Sequence, residues 1–138
     1  MGTKKSITTE ALIGKIAEIT AFVDAELEAA GCPLKQQMQI DVAVDELVSN
    51  VARYAYGCGT GKITVEFEFD EGSRLAALTF IDEGIPYDPT KKEEPDVTLP
   101  VEQREIGGLG IFLVARTMDA MKYRREDGRN ILRIEKKI

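Results

Sequence analysis

The sequence predicts an α+β fold: a two-layer α/β sandwich, with helices on one face of a mixed, mostly antiparallel sheet. Three observations carry that expectation. Two stretches before residue 57 place apolar residues at helical spacing. Two pairs of short β-patterned runs follow, each pair joined by a tight turn, and a third helical stretch separates the pairs. At 138 residues the chain is long enough for one domain with its own core, expected to span residues 1–138.

The first helix is expected to start at Thr8 or Thr9 as its cap. It would bury Leu12, Ile16, Ile19, Phe22, Val23 and Leu27, and stop at Gly31-Cys32-Pro33. A short strand around Lys5 to Ile7 can precede it. The second helix runs from Leu34 to about Tyr56 and is ended by the run Gly57-Cys58-Gly59-Thr60-Gly61. KITVEFEFD, Lys62 to Asp70, alternates apolar and polar residues and reads as a strand. After the turn Glu71-Gly72-Ser73, Arg74 to Ile81 is a second and more apolar strand. Asp82 to Ile106 holds Pro86, Pro89, Pro95 and Pro100 and keeps no period. A loop of roughly twenty residues in a compact domain is usually a lid or a binding loop. Leu109 to about Ala120 is the third helix. Met121 to Arg125 and Asn130 to Lys136, joined by Glu126-Asp127-Gly128-Arg129, form a terminal hairpin.

Composition narrows the function. Hydrophobic residues make up 43% and charged residues 30%, the balance of a soluble globular domain. No apolar run approaches the roughly twenty residues of a membrane span, and the N-terminal stretch lacks the apolar core of a signal peptide. A net charge of −6 argues against a nucleic-acid partner. Cys32 and Cys58 fit no metal spacing and read as reduced thiols, so the expected compartment is the cytoplasm. The chain has no histidine, so a general base has to be a carboxylate, Lys, Tyr or Cys.

Three short stretches carry chemistry. In IDVAVDELVSNVARYAYG, the residues Ile40, Val44, Leu47, Val51 and Ala55 form an apolar stripe, and Glu46, Asn50 and Arg53 stack on the opposite face. Taken alone, that face is equally a solvated helix surface. In FIDEGIPYDP, Asp82 ends an apolar strand and Gly84 lets the backbone approach a flat ligand; taken alone, this is equally a turn. In REIGGLGIFLV, Gly107, Gly108 and Gly110 precede a helix whose first N–H groups can face an anion. Two lookalikes fail. Gly57 to Ile63 has the wrong spacing and element order for a Walker A loop, and GGLG lacks the third glycine and preceding strand of a dinucleotide fingerprint.

In this order and spacing, E-x-x-x-N on a helix, D-x-G-x-P after a strand, a long loop and then G-G-L-G-I resemble the GHKL ATPase superfamily. DELVSNVARYAYG, DEGIPYDP and GGLGIFLVARTMDAMKY look most like its anti-sigma-factor serine kinases of the RsbW/SpoIIAB type, over about Ile7 to Lys136. The resemblance implies the Bergerat ATP-binding fold, ATP and Mg²⁺ as cofactors, and an ATP lid at about 87–107. It implies Glu46 as general base, Asn50 as the Mg²⁺ ligand, and Asp82 as acceptor for the adenine N6 amine. Gly84 would pack against the base, Gly108 and Gly110 would let backbone amides approach the phosphates, and Pro86, Gly107 and Leu109 are further expected cofactor-binding residues. Arg53 and Arg104 are weaker candidates for phosphate contacts. Expected partners are a STAS-type anti-sigma-factor antagonist and a sigma factor, with a homodimer also implied. The alternative is a nucleotide-gated protein-binding module without effective phosphoryl transfer. One departure stands out: some relatives carry a threonine in the terminal hairpin near the adenine, and here that segment is DGRNILRIEKKI. Asp82 is therefore expected to take its second contact from water or from Thr79.

Overall fold

The computed structural model describes residues 3–57, 59–91 and 108–138. Its strands are β1 (Thr3–Glu10), β2 (Lys62–Asp70), β3 (Leu75–Asp82), β4 (Ala120–Glu126) and β5 (Arg129–Lys137). Its helices are α1 (Ile16–Ala29), α2 (Leu34–Asn50) and α3 (Gly108–Thr117). The five strands form one sheet in the order β1-β2-β3-β5-β4, and all four pairings are antiparallel. The α+β sandwich is thus as expected, with a sheet that is antiparallel throughout the described residues instead of mixed.

Side-chain alternation makes each strand two-faced. Ile63, Val65 and Phe67 of β2, Ala76, Leu78 and Phe80 of β3, and Leu132 and Ile134 of β5 face the helices. They meet Ile19, Val23 and Leu27 from α1, Ile40, Val44, Leu47 and Val48 from α2, and Ile111 and Val114 from α3. Helix α2 packs against both α1 and α3, which makes it the centre of the helical layer. On the other face of the sheet, Arg133 bridges Glu68 at 2.6 Å and Glu135 at 2.8 Å. The Arg133 hydrogen bond holds the Glu135 carboxyl below its ordinary value.

The start of the chain departs from expectation. Thr8 and Thr9 cap no helix; they sit in β1, paired with Thr64 and Ile63. The run Ile7-Thr8-Thr9 is β-branched, and strand pairing outweighs the capping signal of an isolated threonine. The strand expected only around Lys5 to Ile7 therefore runs over the whole of Thr3–Glu10, and α1 begins after a short 3-10 turn, Ile13–Lys15. The second helix does reach toward Tyr56, but its last turn, Val51–Ala55, is wound as a π-helix. Helix α3 stops at Thr117, three residues before β4 begins at Ala120, earlier than its apolar pattern suggests.

Candidate functional site

An apolar pocket opens where α2, the end of β3 and the β4–β5 hairpin converge. Leu47, Val51, Ala55, Phe80, Ile85 and Leu132 supply apolar walls, while Asn50, Asp82 and Asn130 supply the polar groups. A few convergent polar groups in an apolar hollow are the usual make-up of a small-molecule site.

Asp82 is the last residue of β3 and is buried, 6% exposed. It lies on the same face of β3 as Phe80, so the strand aims it into the pocket. Its Oδ1 accepts from Gly84 N at 2.9 Å and from Asn130 Nδ2 at 2.9 Å. Thr79 does not assist: it is paired with Arg133 at an odd step from Asp82 and belongs to the opposite face. The supporting contact expected from Thr79 or water comes from Asn130, which stands directly across the ladder from Asp82.

The loop after Asp82 is pinned residue by residue. Glu83 N donates to the Tyr56 hydroxyl at 2.9 Å, and Ile85 N donates to Ala55 O at 2.8 Å. Arg125 Nη1 donates to Gly84 O at 2.7 Å, and Asn130 Nδ2 to Ile85 O at 2.8 Å. Tyr87 N donates to Asn130 Oδ1 at 3.3 Å. Burial pushes the Tyr56 phenol above its ordinary value, so it keeps its proton and donates to Lys62 O at 2.6 Å. The first residues of the expected long loop are therefore a rigid wall of the pocket. Gly84 is buried at the closest approach, where a Cβ would overlap the carbonyl oxygen of Ala55.

The second cluster lies on α2 and the start of α3. Asn50 ends α2 and is 7% exposed; its Nδ2 has no hydrogen-bond partner among the described residues. Glu46 is one helical turn earlier and half-buried. Its carboxylate lies against Gly110 in the first turn of α3, so close that a Cβ at position 110 would overlap it. Helices α2 and α3 thus bring Glu46 and Gly110 together one helical turn from Asn50, which lines the pocket. Gly108 and Leu109 open α3.

Other expected residues fall elsewhere. Arg53 is exposed on the π turn and is not among the pocket-lining side chains. Pro86 is exposed, and Pro89, in a 3-10 turn Pro89–Lys91, lines the pocket in its place. Arg104, Gly107 and residues 92–107 of the expected lid lie outside the described residues. Sequence reasoning passed over Tyr54, Ile85, Tyr87, Tyr123 and Asn130, all lining the pocket. A polar Asn among the apolar residues of β5 is the one signal that could have pointed to the last of them.

The residues present suit a nucleotide with a magnesium ion. A buried amide hydrogen left unpaired costs about 1–3 kcal/mol, and Asn50 carries one at the pocket edge. A phosphate oxygen would satisfy that N–H, or the amide oxygen, turned outward, would take a cation. Among the described residues no cluster of three or more His, Cys, Asp or Glu could cage a metal. Magnesium commonly takes one or two protein ligands and fills its shell with water and phosphate oxygens. Also among the described residues, no helix is long and apolar enough to cross a membrane.

Residues 9–136 match the family described as histidine kinase-like ATPase domain. The chain is 32% identical over 108 residues to the serine-protein kinase RsbW of Listeria monocytogenes, covering 75% of this chain and 68% of that one. It is 28% identical over 93 residues to the serine/threonine-protein kinase BtrW of Bordetella bronchiseptica, covering 67% and 65%. A Bacillus cereus RsbW is 30% identical over 95 residues, covering 66% and 58%. The matched stretches thus span roughly three-fifths to two-thirds of these relatives' own lengths. The match over nearly the whole length, with a 32% identical relative over 75% of the chain, leads to one conclusion: the chain belongs to the histidine-kinase-like ATPase family, alongside serine-protein kinases of the RsbW type.

Proposed function

We propose that this chain binds ATP with Mg²⁺ and phosphorylates a serine on an anti-sigma-factor antagonist, alternating between that antagonist and a sigma factor. The observation that carries the reading is the spatial order of the site: a buried acceptor, Asp82, in an apolar pocket that Asn50 also lines, with Glu46 against Gly110 of α3 one helical turn from Asn50. The names of the relatives, serine-protein kinases, support the reaction class.

In this reading Asp82 accepts the N6 amine of adenine, and the guanine oxygen at the same place is repelled. Gly84 packs against the base. Asn50 holds Mg²⁺, which when bound neutralises phosphate charge. The free N–H groups at the start of α3 face the phosphates. Glu46 orients the attacking serine hydroxyl and takes its proton; phosphoryl transfer is mainly positioning and charge neutralisation, so one carboxylate suffices. The new phosphoserine adds close to two negative charges, which repel a chain of net charge −6 and release the antagonist.

The test is a calorimetric titration of Mg-ATP and Mg-GTP into wild type and Asp82→Asn. ATP should bind saturably, GTP at least about tenfold more weakly, and the variant should lose about tenfold or more in ATP affinity. Phosphate transfer to a STAS-type protein should then fall about 10²-fold or more in Glu46→Ala. ATP binding without transfer to any such protein would leave a nucleotide-gated binding module. No ATP binding at millimolar concentration would overturn the proposal.

A further inference from the structure

Resting on that nucleotide reading, we infer that Asn130 sets the purine specificity of the pocket by holding the Asp82 carboxylate in one orientation, with an oxygen aimed at the base. Asn130 is 6% exposed in β5, directly opposite Asp82 of β3. An asparagine amide offers two donor hydrogens and two acceptor lone pairs, and here all four are matched. Nδ2 donates to Ile85 O and to Asp82 Oδ1. Oδ1 accepts from Tyr87 N and from the Tyr123 hydroxyl.

The orientation of this amide follows from its backbone neighbours. The Ile85 carbonyl can only accept and the Tyr87 N–H can only donate, so nitrogen must face the first and oxygen the second. The second Nδ2 hydrogen is then directed at Asp82 Oδ1, which already takes the Gly84 N–H. Asp82 Oδ1 is thereby committed to protein donors. Oδ2 takes no hydrogen bond from the described residues and is the oxygen left for a ligand in the pocket. A carboxylate oxygen accepts and does not donate, so the fitting ligand presents an N–H. Six-amino purines satisfy it; six-oxo purines place a second acceptor against it.

Asn130 has no hydrogen-bonding capacity left for a ligand, so it is a positioning residue. A carboxylate turns freely about its last torsion. With Gly84 N as its remaining partner, the carboxylate plane would turn, its outward oxygen would no longer be held on the purine 6-position, and both the attraction for an amine and the repulsion of an oxo group would weaken.

The test measures affinities of Mg-ATP, Mg-ITP and the triphosphate of unsubstituted purine riboside for wild type, Asn130→Ala, Asn130→Ser and Tyr123→Phe. Wild type should prefer ATP over both analogues by about tenfold or more. In Asn130→Ala that preference should shrink toward unity, with ATP weakened more than the purine riboside nucleotide. Tyr123→Phe keeps the bond from Nδ2 to Asp82 and should keep most of the preference. Asn130→Ser cannot span the four partners and should lose the preference as the alanine does; it serves if the alanine variant does not fold. If every Asn130 variant weakens the three nucleotides by one common factor, Asn130 is merely structural and the inference falls while the nucleotide reading stands. If wild type binds none of the three, both fall together.

Discussion

Two glycines near the pocket meet different kinds of neighbour, and their replacement separates folding from function. A Cβ at Gly84 would strike the backbone carbonyl of Ala55, which also accepts the Ile85 N–H. Neither group can move without breaking that bond. Gly84→Ala is expected to destabilise the protein by about 1–3 kcal/mol in urea denaturation. A Cβ at Gly110 would meet only the end of the Glu46 side chain, which can swing away. Gly110→Ala should therefore leave the denaturation midpoint nearly unchanged while displacing Glu46 and lowering phosphate transfer. Equal stability losses in the two variants would contradict this account. Glu46, Asn50, Asp82 and Gly84 were legible in the sequence because their spacings within one element are chemically distinctive. Asn130 was not, because its meaning comes from lying across a ladder from a residue 48 positions earlier. Thr79 failed for a related reason: one step along a strand reverses the face, and no local pattern reveals which face carries the site.

Between α1 and α2, two carboxyl groups face each other. Asp24 Oδ1 and Asp41 Oδ1 are both buried, and as carboxylates neither has a hydrogen-bond partner among the described residues. Burial, then the facing Asp24 and then Glu28, push the Asp41 carboxyl up to about 7. Its proton is retained in the folded state and lost in the unfolded chain between about pH 4 and pH 7. The stability this contributes is present at low pH and disappears as the pH rises through about 7. Asp41→Asn keeps the position uncharged throughout. Relative to this variant, wild type should lose stability on the order of 1 kcal/mol between pH 5 and pH 8, after screening by solvent. Chemical denaturation at the two pH values checks this, and parallel behaviour of the two proteins would refute it. The helices themselves were readable from their apolar period, and β2 from its alternation. The boundary between β1 and α1 was not, because Thr serves as well in a strand as at a cap, and only pairing with β2 decides.

At the scale of the whole molecule, a nucleotide that binds only the folded chain must stabilise it. Mg-ATP at a hundred times its dissociation constant should add about 2.7 kcal/mol, raising the thermal midpoint in wild type and not in Asp82→Asn. Differential scanning calorimetry with and without nucleotide reads this directly. The antiparallel order β1-β2-β3-β5-β4 has a further consequence. The last of the five described strands lies inside the sheet, between β3 and β4, and it brings Asn130 into the pocket beside Asp82. A chain emerging from the ribosome has Glu46, Asn50 and Asp82 in hand long before it has the strand that holds Asp82 in place. On the proposed reading, half-made molecules would therefore be blind to nucleotide until β5 pairs with β3.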